Sequence, residues 1–123
     1  IMMLRCVVHV NTPACKLSDS FRTQLATMVA KRYDLQTENI IVLIREGLRL
    51  MRAGTKDACG YIELFGCDAI FDDAEKNRED TTALIQLLQK ESGIPLARLF
   101  VLMRPQWSTN WGKIGGQSLV MDA

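Results

Sequence analysis

Residues 25–47, LATMVAKRYDLQTENIIVLIREG, lie without a gap over residues 84–106, LIQLLQKESGIPLARLFVLMRPQ. The superposition repeats Leu25 in Leu84, Lys31 in Lys90, Val42 in Val101, Leu43 in Leu102 and Arg45 in Arg104. It also keeps apolar character at Met28/Leu87, Val29/Leu88, Leu35/Ile94, Ile40/Leu99, Ile41/Phe100 and Ile44/Met103. In both copies the hydrophobic spacing changes from helical to strand-like at the same point, so the chain reads as a duplicated unit.

Each copy opens with an amphipathic helix. Phe21, Leu25, Met28 and Val29 fall on one helical face, with Ser18 or Asp19 as N-cap. Leu84, Leu87 and Leu88 repeat the stripe, and Gly93 followed by Pro95 is a helix stop. These signals predict helices near 19–33 and 77–92. Continuous apolar strands follow at 40–44 and 99–103, and strand patterns precede the helices at 4–10 and 59–65. The unit is β-α-β written twice, spanning about 4–47 and 59–106 of a single 123-residue domain. The expected fold class is α/β (α+β): a four-stranded mixed sheet.

Right-handed β-α-β crossovers place both helices on one face of that sheet. Yet 40–44 and 99–103 are apolar at successive positions and turn apolar side chains to both faces. Leaving several of them wet would cost several kcal/mol at ~25 cal/mol per Å². The bare face is therefore expected to be buried by other subunits.

Composition narrows the function classes. Fifteen Lys and Arg against 14 Asp and Glu give a net charge of +1, scattered along the chain, which is no footprint for nucleic acid. The longest apolar run, 40–44, is too short for membrane insertion, and no signal-peptide pattern opens the chain. Cys6, Cys15, Cys59 and Cys67 have no C-x-x-C spacing and His9 is the only histidine. Reduced thiols are expected, with no metal and no cofactor.

Several short motifs occur in a telling order. They are Asn11-Thr12-Pro13 after the first strand, Arg45-Glu46-Gly47-Leu48, Ala53-Gly54-Thr55 ahead of Asp57-Ala58-Cys59, and Asn110-Trp111-Gly112-Lys113-Ile114-Gly115 near the end. With the duplicated β-α-β pattern, the chain resembles the macrophage migration inhibitory factor and D-dopachrome tautomerase family. The Arg45 turn and the Gly112–Gly115 tail lean toward D-dopachrome tautomerase. The resemblance implies a tautomerase fold, a homotrimer whose sheets form a central barrel, and a pocket at each subunit interface. It further implies keto–enol tautomerisation of phenylpyruvate-like or dopachrome-like substrates. It also implies a cytokine-like role through a cell-surface receptor or other protein partner, in the cytoplasm or after secretion without a signal peptide.

In that family the catalyst is an N-terminal proline amine whose pKa is lowered by an apolar pocket, which lets it move a proton beside a carbonyl. Anchored on Asn11, Pro13, Asp19 and Phe21, the proline position falls at Leu4, behind Ile1, Met2 and Met3. The lysine that neutralises a substrate carboxylate falls at Leu35, with Lys31 and Arg32 about a turn away. A serine–isoleucine pair falls at Gly66 and Cys67, a tyrosine and an asparagine at Phe100 and Leu102, and the aromatic wall near Trp111 and Lys113. No catalytic residue is expected, because each polar role that carries the chemistry has been replaced. The favoured expectation is a factor acting through protein contacts. An enzyme with an unorthodox base, such as the Ile1 amine, and a binder of small apolar ligands are the alternatives.

Other residues read as structural. His9 is expected to be a structural strand histidine and Cys67 a buried inert thiol. Cys59 matches the first cysteine of a family redox motif, but Ile62 stands at the second. Trp107 and Trp111 are expected to pack on a neighbouring subunit or anchor a partner. The run 72–80, DDAEKNRED, is expected to be a solvated helix entrance.

Overall fold

The structure, a computed structural model, describes residues 3–14, 16–67 and 69–106. The elements run β1 (Leu4–Val10), α1 (Asp19–Arg32), β2 (Ile40–Arg45), β3 (Gly60–Cys67), α2 (Ala74–Ser92) and β4 (Leu99–Gln106), with short 3₁₀ turns at Thr37–Asn39 and Leu96–Arg98. The sheet order is β2-β1-β3-β4. Strands β1/β2 and β3/β4 pair in parallel, and β1 is antiparallel to β3. The fold is the expected duplicated unit and mixed sheet.

The repeat survives in backbone detail. Asp34 and Gly93 hold equivalent positions of the two copies, and both are left-handed, at φ 53° and 76°. Each is followed by a 3₁₀ turn that delivers the chain to its strand. Helix α1 starts at Asp19 and is capped by Ser18, whose Oγ accepts from Phe21 N at 3.1 Å. Helix α2 starts at Ala74, three residues before the expected 77, because Asp73 Oδ1 accepts from Glu75 N at 3.0 Å and Lys76 N at 3.1 Å. Strands β3 and β4 run past their apolar cores to Cys67 and Gln106, since their ladder continues through Gly66↔Pro105 and Cys67↔Gln106.

Both helices lie on one side of the sheet. Phe21, Leu25 and Val29 of α1 and Leu84 and Leu88 of α2 join Leu4, Cys6, Val8, Val10, Ile62 and Leu64 in one core cluster. Full burial of each large side chain contributes about 1.5–3 kcal/mol.

One expectation about the helices fails. Asp80, at the end of the acidic–basic run, is not solvated; its side chain is 2% exposed. It accepts from Arg32 Nη1 at 2.9 Å and Lys76 Nζ at 2.6 Å, tying α1 to α2. Lys76 Nζ also stands 4.1 Å from the centre of the Tyr33 ring. The first turns of α2 face water, but Asp80 falls on the stripe that meets α1 and is neutralised there.

Cross-strand partners share a face, so the register assigns the side without helices. Its three rows are Ile41–Arg5–Phe65–Arg104, Leu43–Val7–Glu63–Leu102 and Arg45–His9–Tyr61–Phe100. Ile41, Leu43, Phe100 and Leu102, on the two outer strands, remain 36–43% exposed. The two inner strands carry a polar centre. Glu63 Oε1 lies 2.7 Å from His9 Nε2, and Glu63 Oε2 accepts from Arg104 Nε at 2.7 Å. Burial alone would raise the Glu63 pKa, but the hydrogen bonds from Arg104 and His9 outweigh it and hold the carboxyl below its ordinary range.

Two predictions rest on these networks. Asp80→Ala leaves Arg32 and Lys76 facing each other and should lower stability by about 2 kcal/mol, since both cations are partly hydrated; urea denaturation measures it, and an unchanged midpoint would mean the network is idle. Glu63 has a folded pKa below its unfolded value, so its stabilisation is present above the ordinary carboxylate range and disappears as pH falls through the folded value. Glu63→Gln should therefore flatten the loss of stability with acid below pH 4.5, and parallel acid limbs for parent and variant would contradict it.

Candidate functional site

The start of β1 is the position the family pocket would occupy. Leu4 is 0% exposed and sits in the core between Ile40 and Gly66 on the flanking strands. Its nitrogen is joined to the carbonyl of Met3, so its lone pair is delocalised in an amide and is no base. Space beside it is also taken. A Cβ built on Gly66 would meet Ile70 Cγ2 at 2.6 Å and the Phe71 ring from 3.1 Å. Glycine at this position lets the segment after β3 close down on the sheet.

Leu35 leaves α1 half-buried and packs against the same core, which puts an apolar group where a carboxylate partner would be needed. The nearby cations do not replace it. Arg32 is committed to Asp80 at 2.9 Å. Lys31 is exposed, in an open groove of about 760 Å³ on the outer side of the helices with Thr27, Met28 and Leu87. Beside Leu35, Tyr33 meets Phe71 edge to face at 6.0 Å; burial and then the Asp80 charge push its phenol pKa up, so it stays protonated.

Phe100 and Leu102 are not brought to this corner. They project from β4 on the sheet face without helices, whereas Leu4 points into the helix-covered side. Within one chain the predicted pocket residues therefore divide: Leu4, Leu35 and Gly66 on the helix-covered side, and Phe100, Leu102 and, by strand alternation, Cys67 on the other. Trp111 and Lys113, like Trp107 and Ile1, lie outside the described residues.

The thiols and the histidine take quiet positions. Cys6, Cys59 and Cys67 are buried, and burial pushes the Cys6 pKa up to about 12. Ile62, at the second position of the redox spacing, is a core residue. His9 is held between Glu63 and the Tyr61 ring, stacked at 4.4 Å. Among the described residues no three His, Cys, Asp or Glu side chains gather as for a metal ion, and no helix is long and apolar enough to cross a membrane.

Sequence patterns pass over one further feature. The loop between β2 and β3 carries Arg52 to the Phe100 ring, 5.2 Å from its centre. The Ala53-Gly54 turn is the only local signal for it, since Arg52 and Phe100 lie far apart in the sequence.

The model for the macrophage migration inhibitory factor family matches residues 3–118. No curated protein sequence matches the chain. Among solved structures, the macrophage migration inhibitory factor from Oncomelania hupensis superposes with a TM-score of 0.84 at 16% identity, covering 94% of this chain and 97% of that one. The factor from Trichinella spiralis gives 0.81 at 17% identity, covering 90% and 96%. A homologue from Prochlorococcus marinus gives 0.82 at 17% identity, covering 93% and 97%. These structures share the fold, and the match of the family model along nearly the whole sequence carries the assignment: the chain belongs to the macrophage migration inhibitory factor family.

Proposed function

We propose that this family member is a pseudoenzyme. It keeps the tautomerase scaffold as a homotrimer, has lost keto–enol tautomerase activity, and acts as a cytokine-like or regulatory factor through contact with a protein partner. The observation that carries the loss of activity is Leu4: fully buried, peptide-bonded and apolar at the position where the family places a free proline amine. Leu35 at the lysine position supports the same conclusion, because an apolar side chain cannot neutralise a substrate carboxylate. Losing a general base and an electrostatic partner each removes factors of ~100 or more from a rate.

The trimer rests on the uncovered face. Ile41, Leu43, Phe100 and Leu102 present apolar surface from both outer strands, and a patch of that kind marks an interaction surface. With chemistry gone, the contact surfaces are what remains for the protein to use. It would work in the cytoplasm or outside the cell.

Phenylpyruvate and D-dopachrome tautomerisation should both run at the rate of a heat-denatured sample, about 10⁴-fold or more below a proline-bearing family member. Leu4→Pro alone should change nothing, because the nitrogen remains an amide. Removing the residues ahead of position 4, with Leu4→Pro and Leu35→Lys together, should restore weak but measurable turnover. Saturable turnover by the unaltered chain that survives acetylation of its N-terminal amine would overturn the proposal.

A further inference from the structure

The strand register sorts charge onto one side of the sheet. Arg5, Arg45 and Arg104 all turn to the face without helices, and Glu63 is the only carboxylate among the described strand residues to join them. Its position is central. The cross-strand partners of Glu63 are Val7 on β1 and Leu102 on β4, and the two groups that it binds stand diagonally, two residues further along each neighbouring strand. Oε1 meets His9 Nε2 at 2.7 Å and Oε2 accepts from Arg104 Nε at 2.7 Å. A carboxylate only accepts, so His9 donates through Nε2.

The groups around this centre come from all four strands. Arg5 and His9 belong to β1, Arg45 to β2, Tyr61 to β3 beside Glu63 itself, and Arg104 to β4. Tyr61 stacks on His9 at 4.4 Å. Arg5 lies over the Phe65 ring, 5.0 Å from its centre. Neither Arg5 nor Arg45 has an acidic partner among the described residues. Glu63 is nearly buried within one chain, whereas Arg104 is half-exposed and would be covered by whatever sits on this face. A symmetric assembly brings the same patch from every copy to its interface, so each arginine is multiplied and Glu63 is the one charge that offsets them. Covering Arg104 also removes the water that hydrates it, which makes loss of its counter-charge more costly than in the free chain.

We propose that Glu63 is an acid-sensitive latch on assembly: its ionised carboxylate lets the arginine-rich faces of several copies come together, and its protonation drives them apart while each copy keeps its fold. This inference rests on the reading of the uncovered face as the interface between copies. The core that holds each copy together lies on the other side of the sheet and does not include Glu63, so the fold outlasts the assembly. Burial works against the ionised form, but the hydrogen bonds from Arg104 and His9 already hold the Glu63 pKa below its ordinary range within one chain. Assembly adds the arginines of neighbouring copies and favours the ionised form further. By linkage, this contribution to assembly is present above the ordinary carboxylate range and is lost as pH falls through the assembled value.

The test is light scattering on the full chain across a pH series, with far-ultraviolet circular dichroism alongside. At about pH 7.5 the mass should be that of several chains, and below pH 4.5 it should fall to that of one chain while the helical signal persists. Glu63→Gln should raise the dissociation constant of the assembly about tenfold or more at neutral pH and flatten its acid dependence. Arg45→Gln removes a cation that makes none of the Glu63 hydrogen bonds, and should hold the assembly together to lower pH. His9→Gln keeps a donor for Glu63 without a titratable ring, and should dissociate in acid as the parent does. A mass that stays constant through the acid range, a helical signal lost together with the mass, or an acid step intact in Glu63→Gln would each overturn the latch and leave the interface standing. Disappearance of the acid step in His9→Gln would overturn it in favour of His9. A single-chain mass at neutral pH would overturn both the latch and the interface.

Discussion

Everything in this fold depends on a sheet that has helices on only one of its faces. The two β-α-β units fix that arrangement, because crossovers of one hand deliver α1 and α2 to the same side. There they bury Phe21, Leu25, Leu84 and Leu88 against the inward residues of the strands. The other face is left with an apolar rim, Ile41 and Leu43 on one edge and Phe100 and Leu102 on the other, around a polar centre of His9, Glu63 and Arg104. A rim that seals against a neighbour and a centre that satisfies its own hydrogen bonds suit a surface that is covered by association. An uncovered rim would leave each outer strand paying a hydrophobic cost that the internal packing does not offset.

The same architecture explains why a leucine at position 4 matters so much. A strand that begins in the middle of a sheet holds its first residue between two neighbours. A terminal proline there would present its amine at the sheet's end, whereas Leu4 presents a side chain to the core and an amide to the backbone. The surroundings are closely packed as well. Glycine at position 66 admits Ile70 and Phe71, Leu35 joins the core, and the remaining cations of the corner, Arg32 and Lys76, are bound to Asp80.

Much of this was legible in the sequence. The repeat located both helices and all four strands, while the left-handed backbone that Asp34 shares with Gly93 is seen only in the structure. Strand ends were less legible because ladder pairing, not apolar character, carries β4 through Arg104, Pro105 and Gln106. The burial of Asp80 was hidden for a related reason. A charged run looks solvated along the chain, and only the packing of α2 on α1 turns one of its members inward against two cations. The division of the pocket positions between opposite faces of the sheet was likewise invisible, since family motifs give residue positions but not the side to which each strand turns them. The Arg52–Phe100 contact is not legible in the sequence because it joins the β2–β3 turn to the start of β4.

The central claim, that the sheet face without helices is an interface between copies of this chain, is tested most directly by molar mass. Light scattering coupled to size exclusion at micromolar concentration should return three times the 13.9 kDa chain mass. A stable, monodisperse species of one chain mass would contradict it.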